Sequence, residues 1–186
     1  MTTAAKPIVW SIAGSDSGGG AGIQADIQAL HRLGCHPCTV ITSVTAQNSR
    51  AVTRVEPVSD AMLAAQLAAL GADLPPVAIK IGLIATASQV RIIANCIAAL
   101  RRDNPELTVV YDPVAVAGSG GRLANAVLTL ADLAPLLAQV TLLTPNLPEA
   151  EYLVGRKLPD GAALRQAAAE LRAQGCAQVL IKGGHN

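Results

Sequence analysis

The chain has 186 residues with 14 Lys+Arg against 13 Asp+Glu, a formal net charge of +1; this excludes the basic excess that nucleic acid or an anionic membrane surface needs in its partner. Hydrophobic residues make up 51% and charged residues 15%, which excludes a disordered chain, and charges, prolines or polar side chains break each apolar stretch short of a membrane span. Aromatic residues are 2%, with no Phe, one Trp and two Tyr, so the core must be aliphatic and any planar ligand must be flanked by aliphatic side chains.

In chain order, Met1 to Lys6 is polar and small, with no basic n-region before an apolar stretch. No secretory signal is expected, and the protein is expected to be cytoplasmic. Ile8 to Ala13 is apolar and β-branched and predicts a first strand. Ile23, Ile27, Leu30 and Leu33 recur at helical spacing before Gly34, a C-cap position. Cys35 and Cys38 are spaced C-x-x-C, but after a helix and before a strand, the wrong end for a lowered thiol pKa. They read as small, half-buried loop thiols, and no second ligand pair suits zinc. Thr39 to Thr45 predicts the second strand. Ser59 caps a helix through Leu63, Leu67 and Leu70, closed at Gly71. Val77 to Ile81 predicts a third strand, Ser88 to Arg101 a helix, and Thr108 to Tyr111 a fourth strand. Val127 to Leu137 reads as helical, with Pro135 unsettling its last turn. Val140 to Leu143 predicts a fifth strand, and Pro148 starts a short helix through Leu153. Asp160 caps a longer helix ending at Gly175, and Val179 to Lys182 predicts a sixth strand.

Strands this apolar, joined by helices, imply a mainly parallel central sheet in a three-layer α/β/α arrangement. The whole chain, 1–186, is expected to be a single domain.

In open α/β sheets ligands lie beyond the carboxyl ends of the strands, and there the chemistry collects. Gly14 to Gly22 follows the first strand. It fits the dinucleotide pattern G-x-G-x-x-A, but no Asp or Glu stands between Asp26 and Glu56 to hold a ribose. There is no Gly-Lys dipeptide for a Walker A loop. The remaining reading is backbone N–H groups aimed at a small substrate, against a wide turn needing positive φ. Gln47 follows the second strand; its planar amide suits the ring-nitrogen and amino edge of an aminopyrimidine, against a plain surface-turn residue. Asp112 ends the fourth strand, and Asn146 and Glu149 lie three apart across a strand-to-helix turn. These suit Mg²⁺ with a phosphate, although Asn146 and Glu149 also fit a capping box. Lys182 ends the last strand and can neutralise a phosphate. Gly118-Ser119-Gly120-Gly121 is a further glycine-rich stretch.

The run from Gly14 to Asp26 resembles the N-terminal motif of hydroxymethylpyrimidine/phosphomethylpyrimidine kinases, members of the ribokinase-like superfamily. Thr45-Ala46-Gln47-Asn48, Lys80-Ile81-Gly82, Asp112-Pro113-Val114, Thr144 to Ala150 and Lys182-Gly183-Gly184-His185 match in order. Pyridoxal kinases share several of these features. The resemblance implies a ribokinase-like fold, a homodimer, ATP and Mg²⁺ as cofactors, and phosphorylation of 4-amino-5-hydroxymethyl-2-methylpyrimidine and its monophosphate in thiamine biosynthesis. It implies that Gly14, Asp26, Gln47, Leu83 and Val114 bind the pyrimidine, that Asn146, Glu149 and Lys182 serve nucleotide and phosphate, and that Asp112 and Glu149 serve the metal. The family commonly has Met where Leu83 and Ala115 stand. Its later Gly-Thr-Gly-Cys motif, which opens an anion-binding helix and ends at the catalytic base position, is absent from the 186 residues. The catalytic base is therefore expected beyond Asn186, and no residue of the chain is assigned that role. The expectation is a fold cut before that motif, with little or no transfer by this polypeptide alone. The alternatives are a pyridoxal-type kinase of the same superfamily, or a pyrimidine-binding protein without catalysis.

Overall fold

Alternation along the first strand, β1 (Ile8–Asp16), sorts the helices into layers. The computed structural model describes residues 5–114 and 128–183. On one face of β1, Trp10 and Ile12 join a buried cluster with Leu63, Leu67, Val90, Ile93 and Leu133. These come from α2 (Asp60–Asp73), α3 (Ala87–Asp103) and α4 (Leu130–Leu137). On the other face, Ser11 meets Asp26 of α1 (Gly22–Arg32). The expected three layers follow, with the only Trp at the centre of the aliphatic core. Its indole Nε1–H donates to Leu74 C=O at 2.8 Å, which resolves the one polar atom that burial would strand.

The remaining strands are β2 (His36–Gln47), β3 (Val52–Pro57), β4 (Ala78–Ile81), β5 (Thr108–Tyr111), β6 (Leu142–Leu143) and β7 (Gln178–Val179). Two helices, α5 (Leu147–Val154) and α6 (Gly161–Ala173), lie between β6 and β7. The sheet order is β3-β2-β1-β4-β5-β6-β7. All pairings are parallel except β2 with β3. From β1 the chain builds outward one way through β2 and β3, then returns to β4 on the other side. The crevice between β1 and β4 is therefore a topological switch point.

Several boundaries differ from the sequence reading. β3 is an additional strand; it forms an antiparallel hairpin with β2, closed by an Asx turn. There, Asn48 Oδ1 accepts from Arg50 N–H at 2.9 Å and Ala51 N–H at 3.0 Å. Ala46 and Gln47 belong to β2 rather than to the turn after it. Cys38 lies buried within β2, not in a loop. Gly71 does not close α2, which runs on to Asp73 before Pro75 and Pro76. Pro135 sits inside α4, whose start is fixed by a Thr129–Asp132 capping box. β7 is shorter than expected, and Lys182 makes only an isolated bridge to Asn146. Ala115, Val127, the stretch Gly118 to Gly121, and Gly184, His185 and Asn186 lie outside the described residues. The expectation of a catalytic base beyond Asn186 falls outside them as well.

Candidate active site

Gly14 ends the straight part of β1, and Leu83 follows β4, so the two flank the switch point. A Cβ on Gly14 would come within 3.0 Å of Ser43 Oγ and 3.1 Å of Leu83 Cδ2, so a larger residue there would have to displace the Ser43 or Leu83 side chain. Leu83 is fixed through its backbone, whose carbonyl accepts from Thr42 Oγ1 at 2.6 Å. Gln89, wholly buried, donates to Thr42 C=O at 2.8 Å and accepts from Ala85 N–H at 3.1 Å. The side chain of Leu83 packs with Val52, Val55 and Val114. Leu83 and Val114 thus share one aliphatic patch with Val52, the register partner of Gln47.

The glycine-rich loop is built differently from the expectation. Asp16, 5% exposed, turns its carboxylate into the loop. Oδ1 accepts from Gly18 N–H at 2.8 Å, and Oδ2 accepts from Gly20 at 3.0 Å and Ala21 at 2.9 Å. These N–H groups hold the loop and the start of α1; they do not aim at a substrate, which corrects that reading. The positive φ of the competing reading is present at Gly19 (+75°) and Gly22 (+58°), and a Cβ on Gly22 would collide with Gly14 C=O. Ser17 turns the other way. Its hydroxyl accepts from Gln47 N–H at 2.9 Å and donates to Gln47 C=O at 2.7 Å. The Gln47 side chain is half-buried, with Oε1 3.4 Å from Thr45 Oγ1.

Asp26 stands one turn into α1. Its Oδ2 accepts from Ser11 Oγ at 2.6 Å and from Lys80 Nζ at 2.8 Å. Lys80 reaches along β4 to its carboxyl end, where a Cβ on Gly82 would lie 3.1 Å from Nζ. Asp26 is therefore held by an internal ion pair just below the switch point.

The other half of the edge belongs to β5, β6 and the segment after β7. Val114 N–H bonds back to Asp112 C=O at 2.8 Å, folding the chain sharply at Pro113. Asp112 Oδ1 accepts from Lys182 Nζ at 2.7 Å. Lys182 is aligned by its own N–H on Pro145 C=O at 2.8 Å and by the bridge to Asn146. Asn146 and Glu149 form a reciprocal capping box, with Glu149 N–H on Asn146 Oδ1 at 2.9 Å and Asn146 N–H on Glu149 Oε2 at 2.8 Å. Glu149 is buried, 7% exposed. Burial, then the charges of Glu149 and Asp112, push the Tyr111 phenol well above the usual tyrosine range. Both carboxylates therefore act on one buried ring.

Asp112, Asn146, Glu149 and Lys182 are thus brought together, as are Gly14, Leu83 and Val114. No cluster of three or more His, Cys, Asp or Glu is formed among the described residues. Two carboxylates are a donor set that fits Mg²⁺ carried on a phosphate, which usually takes one or two protein carboxylates. The sequence reading assigned no role to Asp16, Ser17, Ser43, Lys80 or Gln89. Asp16 carries the one signal that could have been used, an Asp two residues before a glycine run, the pattern of an Asx turn. The groove between α2 and α3, lined by Ala64, Leu67, Gly71, Ile92 and Cys96, includes none of the edge residues.

The carboxyl edge of this mainly parallel sheet thus carries an amide, two carboxylates and a lysine, in an α/β arrangement. The chain belongs to the phosphomethylpyrimidine kinase family, whose model it matches over residues 16–186. It is 41% identical over 178 residues to a hydroxymethylpyrimidine/phosphomethylpyrimidine kinase of Haemophilus influenzae, covering 96% of this chain and 65% of that one. The corresponding kinase of Synechococcus elongatus is 45% identical over 184 residues, covering 97% and 66%. The chain thus spans about two thirds of the length of these relatives. Among solved structures, the phosphomethylpyrimidine kinase of Clostridium difficile superposes with a TM-score of 0.81 at 33% identity, covering 97% of this chain and 76% of that one. A Staphylococcus aureus pyridoxal kinase in complex with AMP-PCP and pyridoxal gives 0.80 at 29% identity, covering 97% and 64%. No helix among the described residues is long and apolar enough to cross a membrane.

Proposed function

We propose that this chain carries the substrate-reading part of an ATP- and Mg²⁺-dependent kinase. The substrate is 4-amino-5-hydroxymethyl-2-methylpyrimidine, then its monophosphate, in thiamine biosynthesis. The observation that carries the reading is that one sheet edge carries both Gln47, whose register partner Val52 packs with Leu83 in the patch that includes Val114, and the Asp112–Lys182 pair, which the Asn146 bridge ties to the capping box with Glu149. The Gln47 amide reads the aminopyrimidine edge, and Leu83 and Val114 flank the ring faces. Gly14 and Asp26 border the same crevice.

Phosphoryl transfer needs positioning and charge neutralisation more than covalent help from the protein. Asp112 and Glu149 are the residues that would hold Mg²⁺, which would supply positive charge to neutralise the phosphates. Lys182 adds a positive charge beside Asp112, and Asn146 keeps the Glu149 carboxylate oriented through the capping box. A homodimer belongs to the same reading, checked by sedimentation.

A pyridoxal-type substrate is the second reading, favoured by the fold match to pyridoxal kinase at a TM-score of 0.80. Titration of the polypeptide with the hydroxymethylpyrimidine and with pyridoxal separates the two. The first reading expects the pyrimidine to bind the tighter; tighter binding of pyridoxal replaces it with the second. Absence of binding by either ligand overturns both.

A further inference from the structure

We infer that Ser17 is a positioning residue for Gln47, working as a side-chain substitute for a strand residue that β1 lacks. The inference rests on the reading of Gln47 as the residue that contacts the pyrimidine.

The last register pair between β1 and β2 is Asp16 with Thr45. Beyond it the β1 chain turns away into the glycine loop, whereas β2 runs on to Gln47. Asn48 N–H faces β3, where it bonds Ala51 C=O at 3.0 Å. Strand alternation therefore turns the N–H and C=O of Gln47 toward the β1 side, where no further β1 residue stands. A serine hydroxyl has one donor and spare acceptor capacity. Ser17 Oγ uses one of each, accepting from Gln47 N–H at 2.9 Å and donating to Gln47 C=O at 2.7 Å. Both bonds land on one residue, so they fix its plane as well as its position.

Two neighbours hold the clamp in place. The Asp16 carboxylate bonds Gly18 N–H on the far side of Ser17 at 2.8 Å. Gly18 lets the loop close on β2, since a Cβ there would stand 3.3 Å from Gln47 C=O and from Asn48 Cα. On the β3 side the register slips between Ala46 and Gln47, so the hairpin alone holds Gln47 weakly. The amide that meets the substrate is thus aimed from the glycine loop.

The test is calorimetric titration of the 186-residue polypeptide with 4-amino-5-hydroxymethyl-2-methylpyrimidine, alongside thermal melts. Ser17→Ala is expected to weaken binding about tenfold, the scale of one net hydrogen bond lost at a binding group. Ser17→Thr, which keeps the hydroxyl, is expected to restore it to within about twofold. In a Gln47→Ala background, Ser17→Ala is expected to add almost nothing, because the clamp then has no amide to aim. That non-additivity separates positioning from a general loss of structure, which would add in both backgrounds. Wild-type affinity in Ser17→Ala, with binding lost in Gln47→Ala, overturns the role of Ser17 and leaves Gln47 standing. Unchanged affinity in Gln47→Ala overturns the reading of Gln47 itself. A full additive loss in the double variant, or no rescue by Thr, also overturns the clamp.

Discussion

Lys182 Nζ lies 2.7 Å from Asp112 Oδ1, joining positions 70 residues apart across the carboxyl edge of β5 and the segment beyond β7. The two side chains are 39% and 29% exposed, so water screens the pair and it adds little to stability. On the proposed function, the ammonium stands beside the carboxylate that would hold a phosphate-borne cation. Lys182→Met is expected to lower affinity for ATP with Mg²⁺ by about tenfold, as one charge-assisted contact is lost. The same change is expected to shift unfolding by less than about 1 kcal/mol. Nucleotide titration and urea denaturation of the same variant check the two halves of the claim.

Asp16 is the structural anchor of the glycine loop. Asp16→Ala deprives Gly18, Gly20 and Ala21 of their acceptor and is expected to cost about 2–4 kcal/mol. Asp16→Asn keeps one acceptor oxygen and should cost less. Equal losses in the two variants, measured by urea denaturation, would show that the loop does not depend on the second oxygen.

The Lys80–Asp26 pair is more enclosed, with side chains 31% and 17% exposed. Removing one partner leaves the other half-buried and unpaired. Lys80→Met is expected to destabilise by about 1–3 kcal/mol. Adding Asp26→Leu to it removes the unpaired carboxylate but strands the buried Ser11 hydroxyl, so only part of the loss should be recovered. A double variant less stable than either single one contradicts this account.

Tyr111 sets an alkaline limit. Its folded phenol ionises only well above the usual tyrosine value, because it is buried and faces Glu149 and Asp112. The raised value means the folded state keeps its proton where the unfolded chain gives it up. Its contribution to stability is complete below about pH 10 and is lost as the pH rises from there toward the raised value. Wild type is expected to lose stability relative to Tyr111→Phe over that range. Parallel denaturation curves of the two proteins at rising pH provide the check.

Much of the fold is readable in the sequence because strand and helix periods differ clearly. β5 falls on Thr108–Tyr111 as expected, the caps at Ser59 and Asp160 sit where the sequence predicts, and Asn146 forms the capping box that the sequence offered as the competing reading to a metal role. β3 is hidden because Arg54 and Glu56 are exposed and the register slips beside Gln47, so no clean alternation survives. Gly71 misleads because the helical hydrogen bonds run on past it, with Leu74 N–H on Leu70 C=O at 2.8 Å, up to the stop that Pro75 and Pro76 impose. The edge residues are legible as polar groups at strand ends. Their supports are not, since Ser17, Lys80 and Gln89 act through partners distant in sequence.

The order of strands also divides the edge by origin. Gly14, Gln47 and Leu83, with their supports Asp16, Ser17, Lys80 and Gln89, come from the first 89 positions, and Asp112, Asn146, Glu149 and Lys182 from those after 111. Among the described residues the two groups meet along the β4–β5 pairing, where Asp112 N–H bonds Ile81 C=O at 2.9 Å and Val114 packs on Leu83. On the proposed function, the residues that would read the ring and those that would serve the phosphate come from different stretches of sequence, so substitutions that retune the accepted ring have a confined address.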